Sequence, residues 1–385
     1  MRVLYSVGSL EQIGPAVCAA STFDGVHRGH AALAHSAAEL AERRGVLAVA
    51  LVIWEGERSI TSDASGQQPG GLLTLLDERL ALLEDLGAFD VALVLSPPPD
   101  APALTNAAVL AAVERVAQPV ALLRLAGEPG MPATADAEAL HWSVIHAPDD
   151  VPDDVPGASL ASLSAVRRDG RDLAAGPGDE AAATDWNIPE PGGRDGDGHQ
   201  PLEHARADGR TRDARTRSEQ VAGLLLGGDV RAAEARLGHP YRVGGVVVSG
   251  DRRGRLLGYP TANLRLDARK ILPADGIYAV WAQLPGEHSA THPAVVSLGV
   301  RPQFGAGKPR LLEVYLLDAA LDLYGLPLVV EFVERLREER RFTDVEALKA
   351  QMALDVERAR KVLRESADVG PHPPLPEVGR GRGLG

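Results

Sequence analysis

From about Gly127 to Arg217 the sequence loses all apolar periodicity, and this stretch constrains the rest of the chain more than any other feature. It reads APDDVPDDVPGAS, DGRDLAAGPGDEAAA and NIPEPGGRDGDGHQPLEHARADGRTRDAR, with proline, glycine and mixed charge in place of apolar residues. Such a composition buries too little surface to offset its ordering entropy. Residues 127–217 therefore read as a linker or flexible insert, with Ala139 to Ala147 as the one candidate for a further strand. Each flank must bury a core of its own, which the 385-residue length allows.

The two flanks carry different rhythms. Over residues 1–126, apolar runs at Ala16 to Ala20, Val46 to Ile53, Val91 to Leu95 and Val120 to Leu125 alternate with helical patterns. Those patterns lie at Ala31 to Arg43, Leu73 to Leu86 and Ala107 to Val116. This βαβα order predicts a parallel sheet covered by helices, an α/β domain. A helical connector is expected over 218–236, in SEQVAGLLLGGDVRAAEARLG. From 237 to 365, strand-like runs at Tyr241 to Val248, Gly276 to Gln283, Ala294 to Leu298, Leu311 to Leu317 and Leu328 to Phe332 predict a small antiparallel barrel. A C-terminal amphipathic helix follows to about Arg364, with Thr343 as N-cap in capping-box spacing to Glu346. The Pro/Gly-rich residues 366–385 read as a disordered tail.

Composition narrows the partners. A net charge of −13 without a basic stripe argues against nucleic acid, whose phosphates are held by excess Lys and Arg, and favours a small-molecule substrate. Cys18 is the only cysteine, which excludes an internal disulfide and a multi-cysteine zinc site and suits a reducing cytoplasm. No basic leader with an apolar core and no run of about 18 apolar residues is present, so no membrane association is expected. Oligomer formation is compatible with these features.

Two clusters carry chemistry. In GGVVVSGDRRGRLLGYPTANL, Gly250, Gly254 and Gly258 could bring backbone N–H groups to phosphate oxygens, or simply form turns. Thr261 and Asn263, after Pro260, offer hard oxygen ligands suited to Mg²⁺ shared with phosphates; an ST or Asx turn is the bland alternative. In LLEVYLLD, Glu313 shares a strand face with Tyr315 and Leu317 and could accept a hydroxyl proton, or could lie on a solvated face. At the other end, STFDGVHRGH sits at a strand-to-helix turn, where helix N–H groups favour anions and imidazoles could stabilise charge on a transferring phosphate. A stray surface His pair is the alternative there.

The run from YRVGGVVVSGDRRGRLLGYPTANL through LPADGIYAV, VSLGVRPQF, LEVYLLD, LDLYGLPLVVEFVERLREERRF and LKAQMALDVERAR is similar, in order and spacing, to the riboflavin kinase domain of bacterial FAD synthetases. The resemblance covers about 125 residues. It implies a small β-barrel with a C-terminal helix that moves the γ-phosphate of ATP onto the ribityl hydroxyl of riboflavin, giving FMN. It further implies that Thr261 and Asn263 bind Mg²⁺ and ATP phosphates, that Gly250 to Gly258 wraps the nucleotide, and that Glu313 is the general base. Arg337 and Phe342 would lie near the flavin; a solvated Arg and a core Phe are the alternatives. Ser297, Gln303 and Tyr315 depart from the Asn, Thr and His of that family.

STFDGVHRGH is similar to the adenylyltransferase domain of the same family, a nucleotidyltransferase-like, Rossmann-like fold that makes FAD from FMN and ATP. The match implies nucleotide contacts for the Phe23, Asp24, Gly25, His27, Gly29 and His30 segment. Elsewhere this domain departs: IWEGERSI stands where an aromatic and His-Pro are expected, and RLAGEPGMPA where a Gly-x-Asp-Phe turn is expected. The Ser-Ser-Thr-x-Ile-Arg motif falls on Arg217, Ser218, Glu219, Gln220, Val221 and Ala222. A carboxylate at Glu219 near phosphates and an alanine in place of the clamping arginine predict weak or no FAD synthesis. The expectation is thus a cytoplasmic riboflavin kinase with an impaired partner domain. A fully bifunctional enzyme and a non-catalytic flavin- or nucleotide-binding regulator are the alternatives.

Overall fold

In a computed structural model, the described residues are 1–5, 12–54, 71–97, 106–125, 143–147, 216–249, 258–284, 291–299, 310–317, 319, 321 and 323–367. Two sheets organise them. The first is six-stranded and wholly parallel, built from β1 (Arg2–Tyr5), β2 (Gly14–Ser21), β3 (Leu47–Ile53), β4 (Val91–Leu95), β5 (Ala117–Leu125) and β6 (Ser143–Ala147), in the order β1-β4-β3-β2-β5-β6. Its helices are α1 (Arg28–Arg44), α2 (Leu76–Leu86) and α3 (Asn106–Val116).

Alternation along the central strand β2 explains this layering. Val17 and Ala19 face a core shared with α1 and α2, while Ala16, Cys18 and Ala20 face a second core shared with α3. A strand buried on both faces needs apolar residues at consecutive positions, as β2 has. Cys18 is fully buried in this strand, and burial pushes its thiol up to about 12.

The second sheet is a closed antiparallel barrel of β7 (Tyr241–Val248), β8 (Ala262–Arg265), β9 (Gly276–Gln283), β10 (Thr291–Gly299), β11 (Leu311–Leu316) and β12 (Pro327–Arg337), in the order β10-β11-β8-β7-β12-β9. Inward residues such as Leu264, Val296, Leu312, Val314 and Phe332 fill it. Outside, α6 (Val345–Ala367) packs Ala359, Val362 and Leu363 against Ala279, Val333 and Leu336. Between the sheets stand α4 (Arg217–Gly227) and α5 (Val230–Leu237).

Several sequence expectations are corrected. β1 was not foreseen; only four residues long, it joins the sheet edge beside β4. The single helical pattern from Ser218 divides in two, because Gly228 adopts φ +83° and closes α4 while the Asp229 carboxylate caps α5 through the Ala232 amide. Strand β6 falls within the Ala139 to Ala147 candidate and pairs with β5, as the sequence allowed; residues 127–142 and 148–215 of the stretch read as linker lie outside the described residues. The Pro260 turn is followed directly by a strand, so Asn263 is a β8 residue. Helix α6 is capped by Asp344, not Thr343: the helix starts at Val345, the Asp344 carboxylate accepts from Ala347 N at 2.8 Å, and the Thr343 hydroxyl donates to Asp344.

The two sheets are joined at a defined seam. Leu72 and Lys270 form a parallel bridge, with Leu72 N donating to Arg269 O (2.7 Å) and Ile271 N to Leu72 O (2.9 Å). The buried Lys270 ammonium donates to Leu73 O at 2.6 Å and to Glu78 at 2.5 Å. A cavity of about 200 Å³ lies along this seam, lined among others by Leu73, Glu78, Tyr241, Gly245 and Lys270.

Candidate active sites

On the barrel, strand register assembles the first site. Asn263 on β8 is directly opposite Glu313 on β11, and Glu313 is directly opposite Ser297 on β10. Their chain neighbours Leu264, Leu312, Val314, Val296 and Leu298 point into the barrel core, so these three side chains stand on its outer surface. The row continues through Ile277 on β9 to Arg337 on β12, and on the other side to Val248. Residues 50 apart in the chain, Asn263 and Glu313, are thereby adjacent, as directly opposed residues on one face of an antiparallel pair are.

Asn263 is 6% exposed, and its Oδ1 is buried with no hydrogen-bond partner in the protein. A buried amide oxygen left unpaired costs on the order of 1–3 kcal/mol, which a hard cation or a ligand donor would remove. Among the described residues no group of three His, Cys, Asp or Glu side chains forms a metal cage. A cation held by one or two protein oxygens and substrate phosphates requires none. Thr261 precedes β8, and Gly258, at φ +86°, makes the turn before it. Gly250, Gly254 and Gln303 lie outside the described residues.

The Tyr315 departure finds a structural role: its ring meets Tyr259 edge-on, centroids 5.2 Å apart, and so staples the turn before Pro260 to β11. Arg337 ends the cross-strand row that starts at Asn263 and has a protein partner of its own. The Arg337 guanidinium is bidentate to Asp355 of α6, at 2.9 and 2.7 Å, and lies 5.8 Å from the Phe342 ring centroid. Its fork holds the C-terminal helix to the barrel. A carboxylate not singled out from the sequence, Glu339, rests against Gly299 and leaves no room for a Cβ there. Burial, and then the charges of Asp275 and Glu313, raise its pKa. The clue was the acidic pair in LREERRF, which has no periodicity to mark it.

The second site is the turn between β2 and α1. Phe23, Gly25 and Val26 have φ of 53°, 81° and 40°, a run of left-handed residues that only a well-tied turn sustains. Asp24, expected beside a nucleotide, is instead the buried anchor of this turn. It accepts from Leu73 N (3.1 Å), Thr74 N (2.8 Å), Thr74 Oγ1 (2.9 Å) and Arg79 Nη2 (2.8 Å). Arg79 also donates to Thr22 O and Thr74 O, and Gly25 N donates to Thr74 Oγ1. Three elements hold the turn from outside: α2 through these bonds, α4 through Ser218 Oγ to Asp24 O (3.0 Å), and the barrel side through His239 Nε2 and Gly25 O (3.0 Å).

Beyond the turn, His27 caps α1, its Nδ1 accepting from His30 N at 3.3 Å, and the two imidazoles stack with centroids 3.7 Å apart. His30 Nε2 lies 2.9 Å from Ser21 Oγ. Burial first, then the charges of His30, Arg217 and His239, hold the His27 pKa well below the ordinary imidazole range. A stacked imidazole pair at a helix N-terminus suits an anionic ligand, because the helix amides point at the same space.

Comparison with known proteins agrees with both sites. The riboflavin kinase family matches residues 237–363, and the FAD synthetase family matches residues 10–98. The bifunctional riboflavin kinase/FMN adenylyltransferase of Pseudomonas fluorescens is 42% identical over 153 residues, 40% of this chain and 48% of that protein. The protein of the same description from Bacillus subtilis is 36% identical over 149 residues, 38% of this chain and 46% of its own length. The chain thus spans about half the length of the curated relatives it matches. A solved Streptococcus pneumoniae structure, described as a macrolide-efflux protein, superposes with a TM-score of 0.62 at 21% identity, covering 94% of this chain and 99% of that one, and shares the fold. The two family matches fall on the two sites in the order they occur: the barrel with its Asn263–Glu313 pair belongs to the riboflavin kinase family, and the parallel sheet with its His27–His30 turn matches the FAD synthetase family.

Proposed function

We propose that the chain is a riboflavin kinase that transfers the γ-phosphate of ATP to the ribityl hydroxyl of riboflavin, giving FMN. The observation that carries this reading is the cross-strand pair of Asn263 and Glu313, with a buried amide oxygen that lacks a protein partner. Asn263 Oδ1 and the Thr261 hydroxyl are the oxygens that would hold Mg²⁺, whose chemistry is to neutralise charge on the β- and γ-phosphates. Glu313 accepts the proton of the attacking hydroxyl. Gly258 lets the turn before Thr261 lie close to the nucleotide. Incubation with riboflavin, ATP and Mg²⁺, with flavins separated by chromatography, tests this; no FMN would refute it.

A second reading, FMN adenylyltransferase activity in the same chain, is favoured by a specific observation. Glu219 does not face the His27 side as a free carboxylate: it closes a capping box, its Oε2 accepting from Thr216 N (2.6 Å) and Thr216 Oγ1 (3.1 Å). The repulsion that argued against FAD synthesis is thereby diverted into a helix cap. FMN, ATP and Mg²⁺ supplied to the same protein, with FAD as readout, tests this reading separately. Among the described residues no helix is long and apolar enough to cross a membrane.

A further inference from the structure

The cavity along the seam belongs to neither site: among the described residues, none of His27, His30, Asn263 and Glu313 lines it. Both halves of the chain build it. Leu73 and Leu82 come from the parallel-sheet side, Leu237 from the end of α5, and Tyr241, Val246 and Val329 from the barrel. Exposed Asp77 and Arg265 mark its mouth. Its floor is the outer face of β7. Val243 and Val247 point into the barrel, so Arg242, Gly244 and Val246 point out, and all three line the cavity. Gly244 and Gly245 are consecutive glycines inside a strand, a pairing that weakens the strand and marks the close approach of a backbone or a ligand. Gly245 is explained by the backbone of β8, since a Cβ there would stand 2.6 Å from Arg265 O. What lies over Gly244 is the cavity.

We propose that this cavity is a binding site for a small uncharged aromatic molecule, about two fused rings in size. The polar groups in its wall are already engaged with the protein. Lys270 Nζ donates to Leu73 O and to Glu78, and stands 4.8 Å from the Tyr241 ring centroid. Arg242 Nε is 2.8 Å from the Glu331 carboxylate, each His239 nitrogen is 3.0 Å from a carbonyl oxygen, and the Thr74 hydroxyl donates to Asp24. A charged ligand would have to compete with these pairs in a poorly solvated space, whereas an apolar one leaves them intact. Size sets the ring count: an apolar cavity of roughly 150 Å³ takes benzene, so one of about 200 Å³ takes a bicyclic molecule. Tyr241 offers it an aromatic neighbour. Because the walls come from both halves, a bound ring holds the barrel against the parallel sheet and stabilises the docked chain. The inference rests on neither catalytic reading.

The test uses the full chain with indole as the probe. Calorimetric titration should give saturable binding at one site with a Kd on the order of 10⁻⁴–10⁻³ M. Indole at ten times that Kd should raise the thermal midpoint by about 2–4 °C. Gly244→Val fills the floor and Leu82→Phe fills the α2 wall; each should weaken binding about tenfold or more, with a cooperative thermal transition as the check that the variant is folded. Position is read without any variant in crystals containing 5-bromoindole, where anomalous scattering should place the bromine at the seam, among Leu82, Tyr241 and Val246. Absence of saturable binding up to the solubility limit of indole overturns the inference. So does wild-type affinity in the folded filled variants, or bromine found elsewhere on the molecule. Bromine at the seam without binding in solution overturns it as well, since the site would then fill at crystal concentration only.

Discussion

Acidification should loosen this protein through one buried histidine at the seam between the sheets. His239 is 6% exposed, with Nδ1 3.0 Å from Pro240 O and Nε2 3.0 Å from Gly25 O. Burial, followed by the charge of Arg242, lowers its pKa from 6.5 to about 4; the two carbonyls offset only part of this, and Lys270 adds to it. The folded chain therefore keeps His239 neutral while the unfolded chain takes up a proton below about pH 6.5. Stability contributed by this group is present above pH 6.5 and is lost as pH falls toward 4. Integrated from pH 7.5 to pH 5, the loss is about 2 kcal/mol. Urea unfolding followed by tryptophan fluorescence, at both pH values, for wild type and His239→Gln, isolates it. Gln cannot titrate, so the wild type should lose about 2 kcal/mol more than the variant on acidification. Equal losses would refute a depressed His239.

Three further outcomes are expected. Glu313→Gln should lower FMN formation about 10²–10⁴-fold while riboflavin binding, followed by flavin fluorescence, is retained; unchanged turnover would remove Glu313 as the base. Arg79→Ala leaves the fully buried Asp24 carboxylate without its cation and should cost about 3–5 kcal/mol in chemical denaturation, whereas a surface-like effect below about 1 kcal/mol would show the pair to be dispensable. Gly25→Ala introduces a Cβ at φ +81° and 2.9 Å from Leu73 Cδ1, so the thermal midpoint should fall by an amount corresponding to about 1–3 kcal/mol, and an unchanged midpoint would argue against strain in the turn.

Much of the fold was legible because its strands announce themselves locally. VALVL of β4 is buried at all five positions, and LLEVYL of β11 alternates strictly between core and outer surface. Short or two-sided features were not. RVLY is too brief to show a period, and β8 is four residues hidden behind a proline turn whose composition reads as irregular. Site residues divide the same way. Glu313 and Asn263 could be nominated by residue type, but their adjacency is a property of the β8–β11 register, which depends on closure of the barrel. The partners of Asp24 and Arg337 were not legible, because an isolated charge in a sequence has no visible partner; Arg79 and Asp355 become partners only through packing. The capping role of Glu219 was hidden for a related reason, since it required knowing where α4 begins.

The turn after β2 explains why the parallel sheet and the barrel share so specific a seam. Three residues with positive φ, two of them not glycine, cost roughly 1–3 kcal/mol each for the non-glycine pair, and the single Val26 N to Phe23 O bond within residues 23–26 offsets only part of that. The compensating bonds come from Thr74 and Arg79, which are local to the parallel sheet, but also from Ser218 on α4 and from His239, two residues before the first barrel strand begins. Leu73, whose carbonyl accepts from Lys270 and whose amide donates to Asp24, connects the two sets through a single residue. Shape at the His27–His30 end is therefore set partly by how the barrel docks. A parallel sheet separated from its barrel would keep its core of Val17, Ala19 and Leu33 yet lose two of the three outside ties on the turn that presents those histidines.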